Sequence, residues 1–168
     1  MKLTILIFLS GILSINFNAR AEANGEEIKG KVTSVIDGNT IEITVSDKEK
    51  YIILLHGIDS PDPGQNFADV AKLLVEKLLL NKNVTIAIHG KDRTGNRLGD
   101  IRVEGLADPK RELIRQGLAW TTDVDPSGEL ESLKEHAKAQ GLGLWSEENP
   151  MPPWMYRRQQ SMARAKSS

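Results

Sequence analysis

The chain has 168 residues, 39% of them hydrophobic, which fits one domain with an apolar core and leaves little room for a second. Lysine and arginine total 22 against 23 aspartates and glutamates, so the formal net charge is −1 and no overall basic field attracts nucleic acid. Cysteine is absent, which excludes disulfides, zinc–thiolate sites and a cysteine nucleophile, and a total of 3 histidines argues against a histidine-rich metal site.

The N-terminal segment has the pattern of an export signal. A positive start at Lys2 precedes a strongly apolar run over residues 3–17, and small-x-small patterns end at Ala21 and Ala23. These features predict a signal peptide over residues 1–21, cleaved after Ala21 or Ala23, and an exported protein that is periplasmic or secreted. The alternative is an N-terminal membrane anchor, although the run is shorter than the ~20 residues that a span needs. We expect no membrane span after signal removal.

The hydrophobic pattern of the remaining chain predicts five strands and three helices. Two apolar stretches within residues 28–45 flank a turn-forming DGNT segment and predict a hairpin. Alternating or β-rich runs predict three more strands, at residues 51–55, 84–88 and 98–103. Apolar residues spaced three or four apart predict helices over residues 66–80, 109–117 and 130–140.

This order of three strands, a helix, two strands and two helices is that of an OB-fold. Such a fold is a five-stranded barrel that often binds oligonucleotides. Strand count alone leaves other small α+β topologies open.

The C-terminal tail, residues 149–168, combines prolines with basic residues. Pro150, Pro152 and Pro153 predict that it has no regular structure. Its arginines could form an arm that contacts phosphate, but a disordered, solubilising end is the favoured interpretation. Trp120, Trp145 and Trp154 could stack on bases, but core packing is the favoured interpretation.

Six short motifs follow one another along the chain. They are VIDGNTI at 35–41, LLHGIDSPD at 54–62, DRTGNRLGDI at 92–101, ELIRQGLAW at 112–120, GLGLW at 141–145 and PPWMYR at 152–157. In order and spacing they resemble the motifs of the staphylococcal nuclease (thermonuclease) family, and the last resembles the tail of its exported bacterial members. The resemblance implies an α+β, mainly β, OB-fold barrel with three helices over residues 28–148. It also implies kinship with calcium-dependent endonucleases that cleave DNA and RNA.

The resemblance also implies a set of site residues. Calcium would be held by Asn39, Asp59 and the main-chain carbonyl of Ser60, although for Asn39 alone a plain hairpin turn is the favoured interpretation. Asn39 stands where the family has an acid, so this chain lacks one negative charge and we expect weaker calcium binding. Asp62 stands at the position of the general base with a side chain one methylene shorter than the family's glutamate, and such small displacements can slow catalysis on the order of 100-fold. The alternative interpretation of Asp62 is an exposed loop acid between Pro61 and Pro63.

The two arginine positions of the family are lost. They hold Leu54 and Asn96, and removing one donor aimed at a transition-state oxyanion typically slows a reaction about 100- to 1,000-fold. Arg97 is the candidate surrogate if a loop or bulge beside Gly95 re-aims it, but an ordinary surface arginine is the favoured interpretation. His56, Arg93 and Arg97 are the candidate nucleic-acid-binding residues.

Two classes of function remain open. The favoured one is a pseudonuclease, a monomeric binding module for nucleic acid, another polyanion or a protein, with weak or no phosphodiesterase activity. The alternative is an active calcium-dependent endonuclease that uses Asp62 as the base and Arg97 as the surrogate arginine.

Overall fold

A computed structural model describes residues 25–122 and 127–167 of the chain. The predicted signal peptide lies outside the described residues. The strands are β1 Glu27–Asp37, β2 Thr40–Ser46, β3 Glu49–Leu55, β4 Ile58–Asp59, β5 Asn83–Lys91, β6 Arg97–Arg102 and β7 Trp120–Thr121. The helices are α1 Ala68–Leu79, α2 Pro109–Arg115, α3 Glu129–Ala139 and α4 Pro153–Ser167, with a 3₁₀ turn at Gly143–Ser146. Within the described ranges, no helix is both long and apolar enough to cross a bilayer.

Five strands close into a barrel in the order β1-β2-β3-β6-β5. All neighbouring pairs are antiparallel except β3 and β6, which run parallel. The helix α1 connects β3 and the short β4 to β5, as the order of predicted elements requires. The predicted five-stranded α+β barrel of the OB type is therefore confirmed.

The barrel interior is filled by branched aliphatic side chains that alternate along the strands. Ile41 and Ile43 of β2 and Ile53 of β3 are fully buried, which matches the two-residue period of a strand with one face in the core. The helix α1 covers this core through Ala71, Val75 and other small or branched residues. Val70, also on α1, is 50% exposed and does not contribute to the core.

The C-terminal tail is helical, so the expectation of an irregular tail is wrong. The helix α4 begins at Pro153, and proline is tolerated in the first turn because the first amides of a helix have no intrahelical acceptor. Pro150 and Pro152 precede the helix and interrupt nothing. The structure thus has four α-helices in its described ranges where the sequence predicted three.

Gly117 follows the end of α2 and has a positive φ of 68°. Its backbone contacts the segment that follows α3. Its carbonyl oxygen accepts a hydrogen bond from the Leu144 amide at 2.8 Å. A Cβ atom at this position would collide with the carbonyl oxygen of Leu142. The packing of the 3₁₀ turn against α2 therefore requires glycine here.

We predict that Gly117→Ala destabilises the protein by several kcal/mol, because it adds a backbone collision to the strain of positive φ, itself about 1–2 kcal/mol. Gly105→Ala is the matched control, since Gly105 has a φ of 72° with no atom within 4 Å of the new Cβ. Urea unfolding measures both free energies. Equal losses in the two variants would contradict the close packing at Gly117.

Candidate active site

Asp59 and Asp62 lie in the segment that leaves the barrel after β3. Asp59 is in β4, which pairs with β7 through the Asp59–Trp120 register. The Asp62 amide donates to Oε1 of Gln65 at 2.9 Å, which fixes the turn that follows. The two carboxylates are only 15% and 24% exposed, so they form a partly buried acid cluster.

A guanidinium from the C-terminal helix occupies this acid cluster. Nη2 of Arg157 lies 2.7 Å from Oδ2 of Asp59, and Nη1 lies 3.2 Å from Oδ1 of the same carboxylate. Nη1 also lies 3.1 and 3.2 Å from the two carboxylate oxygens of Asp62. Arg157 therefore binds Asp59 in a bidentate manner and Asp62 at the same time, an arrangement that guanidinium geometry favours.

Aromatic packing holds α4 in the position that this contact needs. The Trp120 ring lies edge-on to Trp154, with 5.6 Å between centroids, and edge-on to Trp145 at 4.6 Å. Trp154 and Arg157 are three residues apart and thus share one face of α4. Because Trp120 pairs with Asp59, this one strand pair contacts both Trp154 and Arg157 of α4. Trp154 is 45% exposed, so it docks the helix rather than filling the core.

Further contacts tie the residues after Asp62 to the start of the tail. The Gln65 amide group donates to the Met151 carbonyl at 2.9 Å, and the Asn66 amide group donates to Glu147 at 2.6 Å. Gly64 leaves space for Tyr156, whose hydroxyl would lie 2.7 Å from a Cβ at that position. The tail is therefore bound beside the acid cluster at several points.

The charges around Asp62 do not balance. Burial raises the pKa of the Asp62 carboxyl above its ordinary value, Arg157 opposes this rise, and Asp59 and Asp37 add to it. Three carboxylates thus act together with one guanidinium, which leaves an excess of negative charge. In return, the hydrogen bonds that Arg157 donates to Asp59 raise the pKa of Arg157, so its guanidinium stays charged.

The oxygen-rich cluster fits a hard cation such as the calcium implied by the resemblance. Its carboxylate oxygens face one cation, the Arg157 guanidinium, which stands in for a positive group at this point. Asn39 is tied to the same segment, since its Oδ1 accepts from the Ser60 amide at 3.2 Å. Ser60 is 1% exposed and its hydroxyl has no hydrogen-bond partner in the described residues. That hydroxyl packs at Gly38, and the Ser60 carbonyl is the oxygen that the resemblance implies as a ligand.

Leu54 and Asn96, the residues at the two lost arginine positions, each have a structural role in the barrel or its turns. Leu54 lies in β3 between Thr40 of β2 and Leu98 of β6. The Asn96 side chain donates to Asp92 at 3.0 Å and to Thr94 at 2.8 Å, so it fixes the β5–β6 turn. Burial acts to raise the pKa of Asp92, but hydrogen bonds donated by Thr94 and Asn96 lower it below its ordinary value.

The three candidate nucleic-acid-binding residues have other neighbours. The Arg97 guanidinium lies over the Tyr51 ring, 3.5 Å from its centroid, with Glu26 3.8 Å from its Nε. The His56 ring stacks on His89 with centroids 4.3 Å apart, and burial lowers its pKa. Arg93 is exposed in the β5–β6 turn. Within the described residues, the guanidinium that contacts the acid cluster is that of Arg157.

Sequence reasoning missed Arg157, although the PPWMYR motif contains it. The motif was a signal that this arginine has a fixed place, but the prolines around it favoured a disordered tail. Arg157 stands 98 residues after Asp59, and no local pattern connects positions so far apart.

We predict that Arg157→Gln raises the pKa of Asp62 further, because the guanidinium is the group that opposes the rise caused by burial. Because the pKa of Asp62 is higher in the folded than in the unfolded protein, the free energy of unfolding falls as the pH rises from the unfolded-state pKa to the folded-state pKa. In the variant this fall continues to a higher pH. Carboxyl NMR titration measures the pKa. Arg158→Gln, on the adjacent position of α4, is the matched control. An unchanged Asp62 pKa in Arg157→Gln would contradict the ion pair.

Comparison with known proteins agrees with this architecture. Residues 52–147 match the family model described as staphylococcal nuclease homologue. A relative from Escherichia coli O157:H7 named uncharacterized endonuclease is 34% identical over 134 residues, which cover 78% of this chain and 86% of the relative. An uncharacterized endonuclease from Haemophilus influenzae is 29% identical over 93% of this chain and 87% of its own. A micrococcal nuclease from Shigella flexneri is 27% identical over 79% and 82%. The chain belongs to the staphylococcal nuclease family.

Proposed function

We propose that this protein is an exported, calcium-dependent phosphodiesterase of nucleic acid in which Arg157 supplies the guanidinium that positions 54 and 96 lack. The observation that supports this proposal is the placement of Arg157 on both carboxylates of the acid cluster. Export is supported by the signal-like segment over residues 1–21.

Arg157 has the chemistry that phosphate recognition needs. Its two Nη atoms already donate to paired oxygens of a carboxylate, and two oxygens of a phosphate present a similar acceptor pair. A phosphate oxygen that replaced Asp59 as acceptor would receive the same donors. The guanidinium would then meet the negative charge that grows on the phosphate oxygens in the transition state.

Asp62 has the chemistry of a general base. Its pKa is raised by burial, which makes the carboxylate a stronger acceptor for the proton of an attacking water. The Gln65 side chain holds the Asp62 backbone, and Arg157 orients the carboxylate. Asp62 would therefore orient and deprotonate the water that attacks phosphorus.

Asp59, the Ser60 carbonyl and Asn39 are the residues that would hold calcium. When bound, calcium would supply positive charge to the phosphate that is cleaved. Asn39 contributes an oxygen without a charge, so we expect weaker calcium binding than a site with an acid there would give.

A pseudonuclease is the second candidate, and one observation favours it. The guanidinium of Arg157 contacts both carboxylates at once, at the place where a metal ion would bind. With the guanidinium in that place, the barrel would serve as a binding module for nucleic acid or another partner.

We predict that the protein cleaves single-stranded DNA with calcium and that a chelator abolishes cleavage. Asp62→Asn should lower kcat at least about 100-fold, because the amide cannot accept the proton of water. Asp62→Glu restores the carboxylate and should retain activity. Asp69→Asn is the matched control, since Asp69 is exposed on α1. Release of acid-soluble nucleotides measures the rates.

Absence of cleavage by the wild type, together with measurable DNA binding by fluorescence anisotropy, would replace the enzyme proposal with the pseudonuclease. Equal rates for the wild type and Asp62→Asn would remove Asp62 from the mechanism.

A further inference from the structure

A second group of metal-ligating side chains lies outside the acid cluster. His56 follows β3, His89 is in β5 and Asp100 is in β6, and one ligand atom from each lies within 4.8 Å of the others. Nε2 of His89 lies 2.9 Å from Oδ2 of Asp100, and the two imidazole rings are stacked. We call these three residues the histidine cluster.

A β-bulge directs His89 into this cluster. Ile88 pairs with Gly99 and Gly90 pairs with Leu98, so His89 is the extra residue at a register shift between β5 and β6. Bulges commonly re-aim a side chain next to a functional site. The bulge in β5 therefore sets the position of the His89 imidazole.

Gly99 brings the other parts of the cluster together. A Cβ on Gly99 would lie 2.6 Å from the Ile86 side chain and 2.9 Å from the Ala87 carbonyl, so only glycine permits this approach of the strands. The Gly99 carbonyl also accepts a hydrogen bond from the His56 amide at 3.1 Å. That bond fixes His56 beside Asp100, the residue after Gly99.

Lys110 orients the carboxylate of the cluster. The Lys110 side chain is 11% exposed, and its ammonium contacts Oδ1 of Asp100 while Oδ2 faces His89. Carboxylates that ligate metals are generally held by a hydrogen bond of this kind. With Oδ1 held by Lys110, Oδ2 on the His89 side is the oxygen that could act as a ligand.

We propose that His56, His89 and Asp100 bind a first-row transition-metal ion, with zinc as the occupant. Two imidazole nitrogens and one carboxylate oxygen suit zinc, whereas calcium prefers an all-oxygen set such as the acid cluster. Three protein ligands leave a fourth position for water, as in open zinc sites.

The exposure of the ligands is consistent with entry of an ion from solvent. The side chains of His89 and Asp100 are 41% and 39% exposed. A tetrahedral ion with bonds of about 2.1 Å sets its ligand atoms about 3.4 Å apart. Because the two rings are stacked, their imidazoles would have to rotate out of the stack to close the cluster to that spacing. The site is independent of the proposed nuclease function.

Isothermal titration of the purified protein with zinc tests the proposal. We expect one ion per chain in the wild type, and affinity at least about 10-fold lower in His56→Ala and in His89→Ala. His136→Ala is the matched control, because His136 lies on α3 next to Gln140 and should not change the affinity. Asp59→Asn alters the acid cluster and should also leave it unchanged.

Cobalt absorption gives a second readout, since a site with two imidazoles yields visible bands that His89→Gln should remove. Lack of stoichiometric zinc binding by the wild type would overturn the proposal. Unchanged affinity in His89→Ala and His89→Gln, or loss of binding in Asp59→Asn, would overturn it equally. Circular dichroism confirms that each variant is folded.

Discussion

Two carboxylates held close together in a partly buried segment need a positive partner, and the position of the C-terminal helix follows from this need. Burial raises the pKa of Asp62, and the negative charges of Asp59 and Asp37 raise it further. Arg157 meets both at 2.7 and 3.1 Å. Removing one partner of such a pair leaves an uncompensated charge, so the guanidinium and the carboxylates are coupled in stability as well as in the proposed chemistry.

Packed strands and a docked helix position the contact between Arg157 and the two carboxylates. Asp59 is in a strand pair with Trp120, and Trp120 packs against Trp154 one helical turn before Arg157. A site placed on packed strands and a docked helix holds its groups more firmly than one on loops. The guanidinium of the proposed mechanism therefore belongs to a helix that is docked on the strand pair holding Asp59.

Much of the fold could be predicted from the sequence, and the site only in part. The strands alternate with a period of two because one face fills the barrel, and residues such as Ile41 and Ile43 carry that signal. Arg157 could not be predicted, because proline in a sequence signals a break unless its place in the first turn is known. The histidine cluster was missed for a similar reason, since its residues come from three separate elements and depend on a bulge at His89.

The central claim is that Arg157 replaces the family's missing guanidinium, and moving the charge tests it most directly. The measurement is kcat/KM on single-stranded DNA for the wild type, Arg157→Leu and the double variant Leu54→Arg/Arg157→Leu. The account predicts a loss of about 100-fold or more in Arg157→Leu and recovery of at least about 10-fold in the double variant. Wild-type activity in Arg157→Leu would contradict it.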